Sequence, residues 1–528
     1  MNLLNESESN LTFENQKLGK NVTNLDLNID LNNTHFGILN IKTIKYDISS
    51  FNKKQHIVFD VDSSGSMSDI CIDNRTKMDH IIHTIINMIM FIVEHPELQI
   101  FISVFAFDDQ LYSIIKNELI TKENCESLVQ KVKQIRAKNS TNIEKALTNS
   151  KEYIQEKKKE YNNSDGEKKD ITFTHIFMTD GDANQGNTNP EELLQKCDLS
   201  ISNIFIGFGI DHNAYLLKIL SSSNKNKYYF VDALEKAGLV YGEILHSIIY
   251  KIMEDINITI KNGYIYDWIK NKWCNNMIID DLVSDINKVY HIISENPLEC
   301  CVSIEFNNYL TNEPFQYNIN PTMNEITNPF EKFKYRQRTQ ELMFKINQYN
   351  FNNIKTPLDN FKQRNEENIL LKENMNNLLE EMKNYCKSHQ IEDSEKNFMK
   401  LLCDDIYMCL KTIDTRYGAM YSCSRQVSQG EQRSYSASQT PQNFKPMDRF
   451  PPNLIRSHAF IGNHFDNDEN IGNDENYQMN FNNFHLHVDQ IQDYTVSEDL
   501  DSNPYSNLSV LNLMRCCSST LDDNKLFR

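Results

Sequence analysis

The chain has 528 residues and a formal net charge of -19, from 54 Lys and Arg against 73 Asp and Glu. That length exceeds what one compact core organises, so two or three domains are expected. The acidity disfavours nonspecific nucleic-acid or anionic-membrane binding, which needs a basic face. Only 12 Pro and 15 Gly exclude collagen-like and proline-rich designs, and 12 Cys without a Cys-x-x-Cys pair indicate neither a zinc module nor a disulfide framework. Residues 1–20 hold Glu, Ser and Asn where a signal peptide needs an apolar run. The most apolar window, Ile81 to Val93, is too short for a membrane span and carries His83, Thr84 and Asn87. An intracellular protein with reduced thiols is expected.

Residues 1–35 are polar and rich in Asn, and disorder is expected there, with one alternating patch at Leu25, Leu27, Ile29 and Leu31 as a candidate edge strand. Ile38–Ile48 alternates loosely and reads as a strand. His56–Val61 is an apolar run that ends abruptly in Asp62, Ser63, Ser64, Gly65 and Ser66, the pattern of a buried strand opening into a tight polar turn. From there strands and helices alternate. Met78–Glu94 is a helix stopped by Pro96, Leu98–Phe107 a central strand, and Lys122–Ile135 and Asn142–Tyr161 are helices. Thr172–Met178 is a strand, Glu191–Cys197 a helix, Ser202–Phe208 a strand, Asn213–Ser222 a helix and Tyr228–Val231 the last strand, before a closing helical region at Ala233–Met253. This spacing predicts a doubly wound, mostly parallel sheet with helices on both faces, an α/β unit spanning 36–253 with its preceding strand.

After Met253 the period changes. Ile256, Ile258 and Ile260 alternate, Asn262-Gly263 is a hairpin signal, and alternation returns at Val289, His291, Ile293 and at Val302, Ile304, Phe306. A small β-rich domain is expected over 254–325, which the Ile38–Ile48 strand could join. Residues 326–422 read as a helical hairpin or bundle. Leu371, Met375, Leu378, Met382 and Tyr385 form one stripe, and Phe398, Leu402, Ile406, Leu410 and Ile413 another. Residues 423–528 turn to Ser, Gln, Asn and Asp, and a largely disordered tail is expected. Within it Leu508, Leu511 and Met514 fall in a helical stripe, so Ser509–Arg515 reads either as a short docking helix or as a transient turn.

The chemistry gathers around the first turn. One carboxylate and two hydroxyls, on Asp62, Ser64 and Ser66, are spaced so that a tight turn at Gly65 can converge them on a hard cation. Oxygen-only ligands suit Mg²⁺, Mn²⁺ or Ca²⁺ and not zinc or copper. The same residues could serve as ordinary helix caps, and the loops downstream decide between the two. Asn139-Ser140-Thr141-Asn142 frees Thr141 to present a hydroxyl, and Met178-Thr179-Asp180-Gly181 ends a strand that puts Asp180 at the same carboxyl edge as Asp62. Asp69, Asp73, Asp108, Asp109 and Asp182 read as solvated loop acids, Asp211-His212 as a helix cap, and Asp60 as facing away from Asp62.

These motifs resemble the von Willebrand factor type A domain family over about residues 50–253. The metal-ion-dependent adhesion site of that family uses Asp-x-Ser-x-Ser, a distant Thr, and an Asp in a Thr-Asp-Gly turn; the matching positions are Asp62, Ser64, Ser66, Thr141 and Asp180. The resemblance implies a bound Mg²⁺ or Mn²⁺ held by those five residues, with an open position that a Glu or Asp of a protein partner fills. Binding is expected and not catalysis, since no His or Glu is poised as a base. An alternative is an accessory or substrate-recruiting component of a ubiquitin-ligase or ATPase machine. No phosphate-binding Gly-x-x-x-x-Gly-Lys loop occurs, so enzymatic activity would then reside in the partner.

Overall fold

The computed structural model describes residues 3–5, 8–18, 32–71, 74–163, 171–181, 183–209, 212–231, 237–324, 330–355, 361–413, 415–433 and 507–518. Two strands, β1 (Asn10–Lys17) and β2 (His35–Lys42), precede the organising strand β3 (Lys54–Asp62). Helix α1 (Lys77–Glu94) begins on a reciprocal cap in which Thr76 accepts from the Asp79 N–H and the Asp79 carboxylate accepts from the Thr76 N–H. There follow β4 (Ile100–Phe107), β5 (Leu111–Leu119), α2 (Cys125–Val132), α3 (Ile143–Asn163), β6 (Ile171–Thr179), α4 (Pro190–Leu194), β7 (Ser202–Phe208), α5 (Ala214–Leu220), β8 (Asn226–Val231) and α6 (Ala237–Ile249).

These build a six-stranded sheet in the order β5-β4-β3-β6-β7-β8, parallel throughout except for the β4/β5 pair. The α/β class read from the alternation is therefore the observed one. Strand β3 lies centrally with Ile57, Val58, Phe59 and Val61 buried, as a strand covered on both faces must be. Strand β5 is the element the sequence pattern does not show. It is an edge strand with Ile115 alone fully buried, so its alternation is diluted by exposed polar positions.

The chain leaves α6 through β9 (Lys251–Lys261), β10 (Tyr264–Asp267), β11 (Lys272–Cys274), β12 (Asn276–Ile279), β13 (Leu282–Val283), β14 (Asn287–Ser294), β15 (Cys301–Asn308), β16 (Pro314–Ile319) and β17 (Pro321–Asn324). They form a five-stranded sheet, β12-β9-β15-β16 with β13 on β9, and a six-stranded sheet, β11-β10-β14-β2-β1-β17. Ile256, Ile258 and Ile304 of one sheet and Leu39, Ile265 and Ile292 of the other belong to one buried cluster. Three sequence expectations change here. Residues 10–17 are an ordered strand, with Leu11 and Phe13 wholly buried, antiparallel to β2 and parallel to β17. Of the two places read for the Ile38–Ile48 strand, β2 takes the one in this sandwich and not the one in the unit that follows it, because it pairs with β14 along its whole length. Asn262-Gly263 makes no hairpin: β9 and β10 lie in different sheets, and the chain crosses there so closely that a Cβ on Gly263 would lie 2.8 Å from Cys300 Sγ. The alternating patch at residues 25–31 lies outside the described residues.

Helices α7 (Glu331–Lys355), α8 (Phe361–Ser388), α9 (Asp393–Thr412) and α10 (Arg416–Gly430) complete a bundle whose core joins Met343 and Ile346 to Met375, Met382, Leu402 and Ile406. The expected boundary at 422 moves outward. Helix α10 runs on to Gly430, and beyond it Arg433 is buried, its guanidinium 3.6 Å over the Tyr229 ring and donating to Tyr228 O at 2.7 Å. The Ser/Gln-rich composition there signals buried amides, not solvent: Gln426 donates to Trp268 O and Gln432 to Val289 O, each at 3.1 Å. Residues 434–506 and 519–528, part of the expected disordered tail, lie outside the described residues.

One further helix, α11 (Leu508–Ser518), packs on α6 and α1. The docking stripe read from the sequence is thus seated on this chain itself. Helix α6 is apolar around nearly its whole circumference, and such a helix must be buried on all sides. The sheet covers one side and α11 another, with Val510, Leu511, Leu513 and Met514 buried. The backbones touch: a Cβ on Gly242 would stand 2.4 Å from Met514 Cα, and one on Gly238 2.4 Å from Cys517 O. Asn87 donates to Cys517 O at 2.7 Å, and Ser509 Oγ meets the His246 ring at 2.8 Å, where burial holds the imidazole down at about 3 and therefore neutral. No described helix is long and apolar enough to cross a membrane. Gly242→Ala is expected to lift α11, speeding amide hydrogen exchange over residues 508–518 by about tenfold or more while β3 and β6 keep their protection, as mass-spectrometric exchange would show.

Candidate functional site

The site grows from the end of β3. Parallel pairing with β6 runs from Lys54 opposite Ile171 to Val61 opposite Met178, so both strands end together and deliver Asp62, Thr179 and Asp180 to one edge. Asp62 is wholly buried. Its Oδ2 accepts from Thr179 Oγ1 at 2.6 Å and its Oδ1 from the Ser64 N–H at 2.8 Å. Burial above all, and the Asp180 charge beside it, push the Asp62 carboxyl up to about 6 against those hydrogen bonds. The Ser64 and Ser66 hydroxyls are 3.1 Å apart, and Ser66 Oγ donates to Asp180 Oδ1 at 2.7 Å. Asp62, Ser64, Ser66 and Asp180 are therefore joined in one run of contacts.

Thr141 arrives on a loop stitched to both sides of that run. The Lys138 N–H donates to Ser63 O at 2.7 Å and the Gly65 N–H to Asn139 O at 2.9 Å. Gly65 eases this approach, since a Cβ there would lie 3.3 Å from Asn139 O, a tight contact that the loop would have to relax by a few tenths of an ångström. On the other side the Thr141 N–H donates to Asn184 Oδ1 at 2.8 Å, and the N–H groups of Asn184 and Gln185 donate to Thr141 O at 3.1 Å. Thr141 is buried, and none of the described hydrogen bonds joins its hydroxyl to the other four residues.

Three residues differ from their sequence reading. Asp108, expected in solvent, is fully buried and accepts from Gln110 N at 2.6 Å and from Asn139 Nδ2 at 3.1 Å. It thereby holds Asn139 in a left-handed conformation, φ 64°. Asp60 does not face away from Asp62, because residues two apart share a strand face. It sits one pleat deeper, taken up by Ser150 Oγ at 2.8 Å and His175 Nε2 at 2.9 Å. Asn213 caps α5 by accepting from the Leu216 N–H, while His212 is buried against Gly209 O and Tyr228; Asp211 lies outside the described residues.

Sequence reasoning also missed Lys77. Its ammonium lies 2.6 Å from Asp180 Oδ2 and 3.1 Å from Asp69 Oδ2. Burial works to lower its pKa, but the two carboxylates outweigh burial and hold it above the ordinary lysine value. The available signal was a lysine at the first position of a helix, where the dipole disfavours a cation.

The family model described as von Willebrand factor type A domain matches residues 56–242. This part of the chain is a type A domain. Domains of this kind generally mediate protein–protein interaction, some of them through a metal. Among solved structures, the chain is similar to a von Willebrand factor type A protein from Catenulispora acidiphila, at 13% identity and a TM-score of 0.44, covering 76% of this chain and 92% of that one. It is similar to the ArnB paralog VWA2 from Sulfolobus acidocaldarius, at 14% identity and a TM-score of 0.39, covering 75% and 94%. A third likeness is proximal thread matrix protein 1 from the mussel byssus with a zinc-occupied MIDAS motif, at 16% identity and a TM-score of 0.30, covering 40% and 50%. No curated protein matches the sequence significantly.

The raised Asp62 pKa has a thermodynamic sign in the type A domain. A carboxyl whose folded value stands above its unfolded value contributes stability below the unfolded value, and that contribution is lost as pH rises through about 6. Two pH units correspond to about 3 kcal/mol. In a chelator, Asp62→Asn is therefore expected to stabilise the domain by about 2–3 kcal/mol at pH 7.5 and by about half of that at pH 5, read from denaturant midpoints.

Proposed function

We propose that the type A domain holds Mg²⁺ or Mn²⁺ on Asp62, Ser64, Ser66, Thr141 and Asp180 and presents it to an Asp or Glu side chain of a protein partner. The observation that carries this reading is the continuous run from Asp62 through Ser64 and Ser66 to Asp180 at the carboxyl edge of a parallel sheet, where open α/β folds place their sites. The donor set fits the ion. Among the described residues no group of three or more His, Cys, Asp or Glu gathers to hold a metal, and the oxygens present are carboxylate and hydroxyl, which suit a hard cation. When bound, the cation supplies a hard Lewis acid that a further carboxylate can complete.

The chain's own residues supply positioning. Thr179 and the Ser64 N–H fix Asp62, Asn184 and Gln185 hold the Thr141 backbone, and Ser66 stands exposed at the mouth where a partner can reach. The reading is one of binding, not turnover: the described hydrogen bonds around the five residues involve no His or Glu that could serve as a base. The β-sandwich attaches at the opposite edge, with Tyr309 OH donating to Thr172 Oγ1 at 3.0 Å near the start of β6. That arrangement supports a scaffold role for the sandwich and the bundle. We place the protein inside the cell, in keeping with its free cysteines.

Calorimetric titration of the full chain with Mg²⁺ tests the reading, alongside partner capture with and without EDTA. Wild type is expected to bind Mg²⁺ and Asp62→Ala to lose binding while remaining folded. Capture should vanish in EDTA and return with Mg²⁺ or Mn²⁺, and Thr141→Ala should weaken capture more than metal binding. Measurable and equal Mg²⁺ affinity in wild type and Asp62→Ala would falsify the site.

A further inference from the structure

Lys77 brings a fixed positive charge into the same carboxylate pair. The Asp180 side chain is fully enclosed and both of its oxygens are engaged, Oδ1 by the Ser66 hydroxyl at 2.7 Å and Oδ2 by the Lys77 ammonium at 2.6 Å. The lysine side chain is itself largely enclosed, at 14% exposure, whereas its second partner, Asp69, is 65% exposed. The ammonium thus bridges an inner carboxylate and an outer one. Its position opposes the helix dipole and orders a long flexible side chain, two costs that the Asp180 contact offsets.

We propose that Lys77 is a built-in competitor for the divalent cation: its ammonium neutralises Asp180, and a cation that engages Asp180 displaces it toward Asp69. The proposal rests on the reading of Asp62, Ser64, Ser66, Thr141 and Asp180 as a cation site. Two carboxylates give that site a charge of about -2, and the repulsion from an ammonium in contact with one of them cuts the net charge a dication meets to about -1. Lysine suits the role better than arginine. It is a compact charge on a flexible stem, able to leave one carboxylate for another without breaking a two-pronged hydrogen-bonded fork. Asp69, being exposed, keeps the displaced ammonium paired near water and spares it burial without a partner. The consequence is a site of lowered affinity, loaded only when divalent cation is plentiful, with the lysine holding the loop between β3 and α1 in place otherwise.

Lys77→Met in the full chain keeps the unbranched stem and removes the charge, and Lys77→Gln is a second variant should the first fold poorly. Titrated calorimetrically with Mg²⁺, and with Mn²⁺ as a second probe, Lys77→Met is expected to bind at least about tenfold more tightly than wild type. Lys77→Arg, which keeps the charge, is expected to stay within about threefold of wild type. In EDTA the melting temperature of Lys77→Met should fall below that of wild type, and added Mg²⁺ should close the gap. Binding by Lys77→Met with none detectable in wild type also supports the proposal. Affinity in Lys77→Met equal to or weaker than wild type, with binding still abolished by Asp62→Ala, overturns the competitor role and leaves the cation site standing. Absence of Mg²⁺ binding in both wild type and Lys77→Met overturns the two together.

Discussion

The parallel pairing of β3 with β6 is the constraint on which the rest depends. Both strands end at the same level, so Asp62 and Thr179 meet and Asp180 follows one residue later. A slip of one residue would turn Asp62 to the opposite face and set Val61 or Ser63 against Thr179. The register is secured from below by packing: Phe59 and Val61 on β3 and Ile176 and Met178 on β6 are all buried. A rigid apolar ladder thus fixes the positions of polar groups whose mutual repulsion would otherwise drive them apart.

The same division of labour recurs away from the sheet. Several charges that enter the interior of the described residues are met by a partner. Asp60 is taken by Ser150 and His175, Asp405 by Arg425 at 2.9 Å, and Glu14 by Lys334 at 2.6 Å. The last two contacts lock the bundle internally and tie it to β1. Such pairs add little net stability over apolar packing, but removing one partner leaves a buried charge and is costly. They therefore specify which surfaces meet, while the apolar clusters supply most of the favourable energy.

How much of this is legible in the sequence depends on how local the cause is. Asp62, Ser64 and Ser66 lie within five residues at the end of a run too apolar to be anything but a central strand, and Asp180 ends a second such run. Strand β1 was hidden because Leu11 and Phe13 sit in polar sequence, and their partner β17 lies about 310 residues away. The end of the bundle was misplaced because Gln426, Gln429 and Gln432 are as hydrophilic as tail residues until strand carbonyls and Asp405 are seen to satisfy them. Asp108 was read as a solvated charge, and Lys77 was passed over, for the same reason. Their partners, Asn139 and Asp180, come from other loops, and nothing near them in the chain announces the contact. The all-round apolarity of Ala237–Ile249 was a usable clue: it implied a cover that the neighbouring sequence does not contain.

That cover has a consequence for synthesis. Helix α6 is made about 260 residues before α11, a gap of roughly 13–50 s at about 5–20 residues per second. Through that interval the nascent type A domain has its sheet and its carboxylate edge complete while one flank of α6, with the open notches at Gly238 and Gly242, remains bare. Strand β1 waits longer still for β17 to close its sheet. The earliest finished part of the molecule is thus its carboxylate edge, and the parts that seal its apolar flanks come last, so the growing chain passes through a stage at which its central sheet is complete but its bare flank is prone to associate through the wrong surface.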